Sequence, residues 1–358
     1  MPLTYFGLNP SFDTWPEMNW LSNLPENTFF SLWLRNPILS PLQLPLGHPL
    51  YVISFHYEPF DYQWVQREAS KVNAPVIIIN DGDIYDTNFP PNCYFYNYIS
   101  WHQHIDQIRE WFPNRLPRNP KHKISAICNR ITTFKLVAFT ALAEYLGVEK
   151  NIVKLGTWLE EKNVNNRQPL HIPELNQLQN CFFKQWYGKE IIVDDFIDMT
   201  HNTQSINSNP WSKFYLESAI HLCLESHHYS YMVDLFGQSI RPGPHLTEKT
   251  FKCLITGIPF IQASQFDSYR HLRNLGLKFD YGDIDLSWDA DPGNLTRLLG
   301  ITKTIKSLND YSIDDILEMT KRSTEFNTNM IHSGEFSRNC KQHNQLISEQ
   351  ILDTWAKE

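Results

Sequence analysis

Two short segments of the chain carry cations where a folded protein commonly binds anions. The first holds Arg130 and Lys135, which flank the junction between a predicted strand (Lys123–Cys128) and a predicted helix (Thr132–Leu146). In open α/β sheets ligands bind at the carboxyl ends of strands, and the free N–H groups of a helix N-terminus attract phosphate. This pair of cations therefore predicts a diphosphate site.

The second segment is Thr247-Glu248-Lys249, at the start of a predicted helix that ends before Gly257. Thr247 is a favourable N-cap residue, whereas Lys249 is poorly placed, because the helix dipole favours an anion in the first turn. A bound phosphate would remove that conflict, and such a charge-assisted contact contributes about 1.5–3 kcal/mol. A surface lysine beside a capping threonine is the competing interpretation, and it stays open at this point.

The elements that must position these segments alternate along the chain. Short apolar runs predict strands at 51–55, 75–79, 123–128, 259–263 and 277–281, and a further apolar run covers 214–225. Helix signals predict helices at 61–72, 100–111, 132–146, 247–256 and 267–275, and a mostly helical segment from Pro292 onward. Such alternation is typical of parallel sheets covered by helices. The fold class is therefore α/β, and two successive series predict two doubly wound sheets with a cleft between them.

Proline-rich sequence near residue 118 predicts a domain boundary. We expect an N-terminal α/β domain at 1–118, a second α/β domain at 119–334 with a loop-rich insertion at about 157–210, and a final helix at 335–358 that crosses back to the first domain. The 358 residues suffice for two domains of ordinary size.

Composition excludes several protein classes. With 42% hydrophobic and 14% aromatic residues the chain is not wholly disordered. A net charge of −8 argues against a generally basic nucleic-acid coat, although residues 115–135 hold six cations and no acidic residue. No apolar run approaches the length of about 20 residues that spans a membrane. Six widely spaced cysteines without a CxxC pair indicate a reducing compartment, so we expect a cytoplasmic protein.

Three segments together resemble a known family. They are Phe214–Ser226, Leu246–Lys252 and Gly257–Phe260, and they are similar to the donor-binding box of GT-B glycosyltransferases from phages, large viruses and bacteria, and more distantly to α-1,3-fucosyltransferases. The resemblance continues to Asp285-Leu-Ser-Trp-Asp289, and upstream to Cys128-Asn-Arg130 with Lys135. It implies a GT-B fold of two Rossmann-like domains and transfer of a sugar from a nucleotide-diphosphate donor to an acceptor hydroxyl.

The resemblance also implies roles for individual residues. Lys249 would bind the donor diphosphate and Glu248 the hydroxyls of the sugar or ribose, with Arg130 and Lys135 approaching the phosphates from the facing turn. Thr247 would cap the helix, and Glu225 at a strand end could reach the donor or cap a turn. Fixed cations and helix N-termini stabilise the charge that grows on the departing diphosphate, so neither a metal nor another cofactor is expected.

An inverting enzyme of this kind also needs a group that takes the acceptor proton. Glu58 and Asp83 are the preferred candidates among the polar residues that follow the first strands (His56, Glu58, Asp61, Asp81 and Asp83), whereas a retaining enzyme needs no dedicated base. Three D-x-D patterns, at Asp81, Asp283 and Asp289, match the metal signature of the other glycosyltransferase architecture, GT-A, but turns explain them equally well.

The acceptor stays open between a glycan and phage DNA that carries a hydroxymethylated pyrimidine. The six cations of 115–135 favour DNA, and the overall negative charge opposes it. In a viral context the expected compartment is the host cytoplasm. A nucleotide- or carbohydrate-binding module of the same fold without turnover is the non-enzymatic alternative.

Overall fold

A computed structural model describes the chain in fifteen ranges. These are 30–34, 43–44, 46–47, 50–55, 62–80, 90–97, 105–106, 109–110, 117–159, 170–191, 212–225, 232–233, 239–240, 244 and 246–355. By its internal contacts the chain divides into two units: Met1–Gln103, Ser230–His245 and Ser337–Glu358 form the first, and His104–Tyr229 and Leu246–Phe336 form the second. The domain boundaries at 118 and 334 and the GT-B arrangement stay predictions.

The first unit contains a parallel sheet whose described strands follow the order of the chain. Its elements are β1 (Phe30–Leu34), β2 (Tyr51–Phe55), α1 (Tyr62–Ala69), β3 (Val76–Asn80) and β4 (Cys93–Asn97), with the order β1-β2-β3-β4. The strands predicted at 51–55 and 75–79 and the helix predicted at 61–72 are confirmed. Continuous burial of the β3 side chains is typical of parallel strands covered on both faces.

The second unit contains a parallel sheet with a reversal of strand order. Its elements are β5 (His122–Ile131), α2 (Thr133–Leu146), β6 (Ile152–Leu159), α3 (Pro173–Gln185), α4 (Lys213–Leu216), β7 (Ser218–Leu224), α5 (Glu248–Thr256) and β10 (Phe260–Ala263). The order is β10-β7-β5-β6, so the chain leaves β5 toward β6 and later returns to its other side as β7. Two all-parallel sheets confirm the α/β class. A short antiparallel pair, β8 (Met232–Val233) and β9 (Ser239–Ile240), precedes α5 in the sequence and belongs to the first unit.

Helix boundaries in the second unit follow the signals in the sequence. Thr132 caps α2 and Gly147 ends it, while Thr247 caps α5 and Gly257 ends it in the left-handed conformation, with φ of 67°. Further α-helices of this unit are α6 (Ser268–Asn274), α7 (Asn294–Ser307) and α8 (Ile313–His332). The last helix, α9 (Glu335–Trp355), belongs to the first unit from Ser337 onward. Together these helices confirm the helical C-terminal segment. Within the described ranges, no helix combines the length and apolar composition that crossing a bilayer requires.

The strand predicted at 277–281 is wrong. Leu277, Phe279 and Tyr281 are buried and the residues between them are exposed, so the alternation that suggested a strand is present. The backbone, however, pairs with side chains of α8: Asn327 bonds both the N–H and the C=O of Lys278, at 2.7 and 2.6 Å, and the Ser323 hydroxyl does the same for Asp280. An extended segment thus meets its backbone requirements without a sheet neighbour.

Part of the segment interpreted as a loop-rich insertion belongs to the core. β6 continues to Leu159 and pairs with β5, and α3 packs against α2. Phe182 of α3 is fully buried and meets Phe139 of α2 edge to face, with ring centroids 6.3 Å apart. The Asn- and Gln-rich composition of this region hid a helix that buries one apolar side.

Candidate functional site

The reversal of strand order between β5 and β7 creates a switch point at the carboxyl edge of the second sheet. β5 leads through Thr132 into α2, whereas β7 is followed directly by Glu225, which is bonded to the start of α5. Ligands of open α/β sheets bind at such points, because the connections leaving the two strands run in opposite directions. The predicted residues Arg130, Lys135 and Glu225 thus lie on the elements that border the switch point.

Glu225 holds the first turn of α5 in place. The carboxylate is fully buried, and its Oε1 accepts the backbone N–H of Thr247 at 3.0 Å and the hydroxyl of Thr250 at 2.6 Å. Its Oε2 accepts the hydroxyl of Thr247 at 2.5 Å. Because both oxygens are directed at α5, the geometry supports the role of a capping and positioning residue; direct contact with a donor stays a prediction.

Lys249 faces oxygen atoms of three neighbours. Its Nζ donates to Oγ1 of Thr247 at 2.9 Å and to Oε1 of Glu248 at 3.0 Å, and it lies 3.8 Å from Oε2 of Glu225. The conflict expected between this lysine and the helix dipole is therefore relieved within the protein by the carboxylates of Glu225 and Glu248. The Lys249 side chain keeps 29% of its surface exposed, so part of the side chain is open to solvent.

The charges of this cluster reinforce one another. Burial opposes ionisation of Lys249, but the carboxylates of Glu225 and Glu248 outweigh it and raise the pKa of the amine above its usual value. Burial likewise opposes ionisation of Glu248, but Lys249 and Lys252 lower the pKa of that carboxyl to about 2. The site therefore presents a fixed ammonium beside a fixed, half-exposed carboxylate, which can bind phosphate oxygens and hydroxyl groups respectively.

Two further residues, Thr250 and Gln262, belong to the same network and were not predicted. Gln262 lies in the middle of β10, is fully buried, and places its Nε2 2.9 Å from the Thr250 hydroxyl that bonds Glu225. A signal was present in the sequence: Gln262 interrupts an otherwise apolar strand, and a buried amide requires hydrogen-bond partners.

The carboxyl end of β5 is distorted at the switch point. Its pairing with β6 shifts register between Cys128 and Arg130, and a Cβ on Gly156 of β6 would lie 2.6 Å from the carbonyl oxygen of Asn129. Gly156 thus permits the close approach that the bulge requires. The backbone of Arg130 lies directly after this shift, and its side chain is outside the described atoms.

Lys135 lies in the first turn of α2 and is only 4% exposed. Its charge acts on the neighbouring Cys128 thiol: burial raises the pKa of that thiol to about 12, and Lys135 offsets part of the rise. The side chain is thus largely buried, with its charge near the end of β5. Its contact with a donor phosphate stays a prediction.

Four of the six cations of 115–135 have described side chains, and these four do not form one patch. Arg118 donates to the carbonyl oxygens of Tyr215, Ser218, Ala219 and Gly257. Lys121 pairs with Glu217 at 3.1 Å, and Lys123 bonds the carbonyl of Asn309 near the amino end of β5. Lys135 lies beyond the opposite end of the strand. These side chains stabilise different parts of the fold.

Three aspartates of the two later D-x-D patterns serve local structure. Asp289 is buried and accepts the backbone N–H groups of Ser268 and Tyr269 at 3.1 and 2.8 Å, which caps α6. Asp285 and Asp291 accept N–H groups two residues ahead, at 2.8 and 2.7 Å. Among the described residues no group of three or more metal-ligating side chains meets. The resemblance through Asp285–Asp289 therefore falls on turn and cap residues.

Burial also sets the charge of Asp289. It raises the pKa of the carboxyl to about 7, with a further contribution from Asp267, and the two N–H groups and the buried Arg297 offset part of the rise.

The predicted bases Glu58 and Asp83, together with His56, Asp61 and Asp81, lie outside the described residues. Comparison with protein-family models, curated proteins and solved structures finds no match.

Proposed function

We propose that this chain is a glycosyltransferase that moves a sugar from a nucleotide-diphosphate donor to an acceptor hydroxyl. The observation that carries the proposal is the cluster at the switch point, where Lys249 stands in the first turn of α5, held by Thr247 and Glu225. A helix N-terminus and a fixed ammonium at the carboxyl edge of a parallel sheet suit a diphosphate. The similarity of the Thr-Glu-Lys segment to the donor box of GT-B enzymes supports the same assignment.

The residue types match the chemistry of sugar transfer. As the bond between the sugar and the diphosphate breaks, negative charge grows on the departing phosphate, and preorganised cations stabilise it without rearrangement. Lys249 takes this role in the proposal, with Arg130 and Lys135 on the β5 side of the switch point. Glu248, ionised at any physiological pH, accepts hydrogen bonds from donor hydroxyls. Glu58 or Asp83 is the proposed base toward the acceptor.

For the acceptor, the proposal favours a glycan over DNA. The basic window at 115–135 was the feature that favoured DNA, and its described side chains Arg118, Lys121 and Lys123 are bonded to carbonyls and a carboxylate of the fold. DNA binding through phosphates weakens steeply with salt, whereas binding of a neutral glycan does not. Acceptor activity measured at two salt concentrations separates these classes.

A panel of nucleoside diphosphates tests the proposal. UDP, GDP, CDP, dTDP and ADP are each added to the wild type, with and without Mn²⁺, and unfolding temperature is recorded. A ligand at about 100 times its dissociation constant adds about 2.7 kcal/mol of stability. Stabilisation by one nucleotide, independent of metal and followed by release of that nucleotide from its sugar conjugate, supports a transferase.

Binding without turnover of the nucleotide sugar would instead identify a binding module with the same fold. No stabilisation by any of the five nucleotides would overturn the donor site. Lys249→Ala is measured in the same panel. Lys303→Ala, which removes an exposed lysine on α7, is its matched control, because both variants change the net charge by the same amount.

A further inference from the structure

Charge and distance set the direction of the hydrogen bonds around Glu225. Thr250 has a single hydroxyl proton, and its oxygen lies 2.6 Å from Glu225 Oε1, 2.9 Å from Gln262 Nε2 and 3.2 Å from Gln262 Oε1. The proton goes to the carboxylate oxygen, which is both the nearer and the charged acceptor, so Gln262 donates its amide N–H to the hydroxyl. The bond from Thr250 to Glu225 therefore decides which end of the Gln262 amide faces the hydroxyl.

The same argument holds on the other side of Glu225. The hydroxyl of Thr247 donates to Oε2 at 2.5 Å, which leaves its lone pairs to accept from the ammonium of Lys249 at 2.9 Å. An ammonium only donates. Two donor chains, Gln262–Thr250 and Lys249–Thr247, therefore converge on one buried carboxylate.

We infer that Gln262 and Thr250 are positioning residues for Lys249, acting through Glu225. The two side chains hold one carboxylate oxygen, and the remaining contacts of that carboxylate fix Thr247 and hence the place of the ammonium. Buried networks of this kind are fixed only when every member is paired. The inference rests on the proposed function only in assigning a donor phosphate to Lys249; the positioning itself is independent of any ligand.

Four variants separate positioning from general stability. Thr250→Val removes the hydroxyl at constant shape, and Thr250→Ser retains it. Gln262→Met removes the amide donor without adding charge. This variant tests the same inference if Thr250→Val does not fold. Thr256→Val is the matched control, because Thr256 is also a fully buried threonine of α5 but bonds only the helix carbonyls of Lys252 and Cys253.

The readout is the rate at which acetic anhydride labels Lys249, followed by mass spectrometry across a range of pH, with exposed Lys303 as the internal reference. Thr250→Val and Gln262→Met should label Lys249 about threefold faster or more at a fixed pH, which corresponds to a fall of half a unit in the pKa of the amine. Thr250→Ser and Thr256→Val should label at the wild-type rate. Lys303 should be unchanged in all four.

Folded Thr250→Val and Gln262→Met proteins that label Lys249 at the wild-type rate would overturn the inference. The labelling needs no donor, so its result is distinct from failure of the proposed function, which shows as absence of nucleotide binding to the wild type. Where a nucleotide does bind, the same two variants should weaken it while Thr256→Val does not.

Discussion

Glu225 and Thr247 are joined twice. The backbone N–H of Thr247 donates to one carboxylate oxygen at 3.0 Å, and its hydroxyl donates to the other at 2.5 Å. Glu225, which directly follows the central strand β7, is thereby bonded to the N-cap residue of α5, the helix that contains Lys249. The strand β7 and the helix α5, separated by 23 residues of chain from Leu224 to Glu248, meet at the switch point through this pair.

Replacing Glu225 with glutamine should destabilise the protein. The amide keeps the shape of the carboxylate, but its NH₂ group would face a hydroxyl or N–H that already donates. A buried mismatch of this kind costs about 1–3 kcal/mol. Urea unfolding measures the loss, and Glu217→Gln is the control, because it removes only the ion pair with exposed Lys121, worth under about 1 kcal/mol. Equal losses in the two variants would contradict the assigned role of Glu225.

Asp289 should make stability depend on pH. Its pKa is raised to about 7 in the folded protein, whereas in the unfolded chain it is about 3.9. The stabilisation is therefore fully present below pH 4 and is lost as the pH rises through 7. Between pH 5 and 8 the free energy of unfolding should fall by an amount on the order of 1–4 kcal/mol more in the wild type than in Asp289→Asn.

Urea unfolding at several pH values makes this comparison. Asp314→Asn, which removes an exposed carboxylate on α8, should follow the wild-type profile. Parallel profiles for the wild type and Asp289→Asn would show that Asp289 does not titrate in this range.

Asn327 should stabilise the folded protein by holding the extended segment at 277–281. Its side chain bonds both the N–H and the C=O of Lys278. Asn327→Ala removes these two part-buried hydrogen bonds, at a cost of about 0.5–1.5 kcal/mol for each. Thr324→Ala, one turn earlier on α8, removes a hydroxyl that bonds only its own helix. Thermal unfolding should show a clear drop for the first variant and little change for the second.

Local signals predicted much of this fold, and tertiary context decided the rest. The capping residues Thr132 and Thr247 and the terminal glycines Gly147 and Gly257 specify helix ends by their own backbone and side-chain chemistry, so they are readable from the sequence. The segment 277–281 shows the limit, since its alternation reports one buried face but not whether the backbone partner is a strand or a helix side chain. α3 was hidden by its polar composition.

The candidate site divides in the same way. The cluster of Glu225, Thr247, Glu248 and Lys249 was predicted as a set of donor residues, and the structure brings these four together. Its support by Gln262 depends on the pairing of β10 with β7, which no short-range pattern encodes. The basic window at 115–135 shows the reverse, since cations close in sequence are distributed over both ends of one strand.

The most direct test of the central claim is the affinity of the stabilising nucleoside diphosphate for the wild type, Lys249→Ala and Lys303→Ala, measured by titration calorimetry. Loss of one charge-assisted contact costs about 1.5–3 kcal/mol, so Lys249→Ala should bind about 10- to 150-fold more weakly, measured at a temperature well below the unfolding transition of each variant. Lys303→Ala should bind as the wild type does. Equal affinity in all three proteins would show that the nucleotide does not contact Lys249 and would contradict a donor site at this switch point.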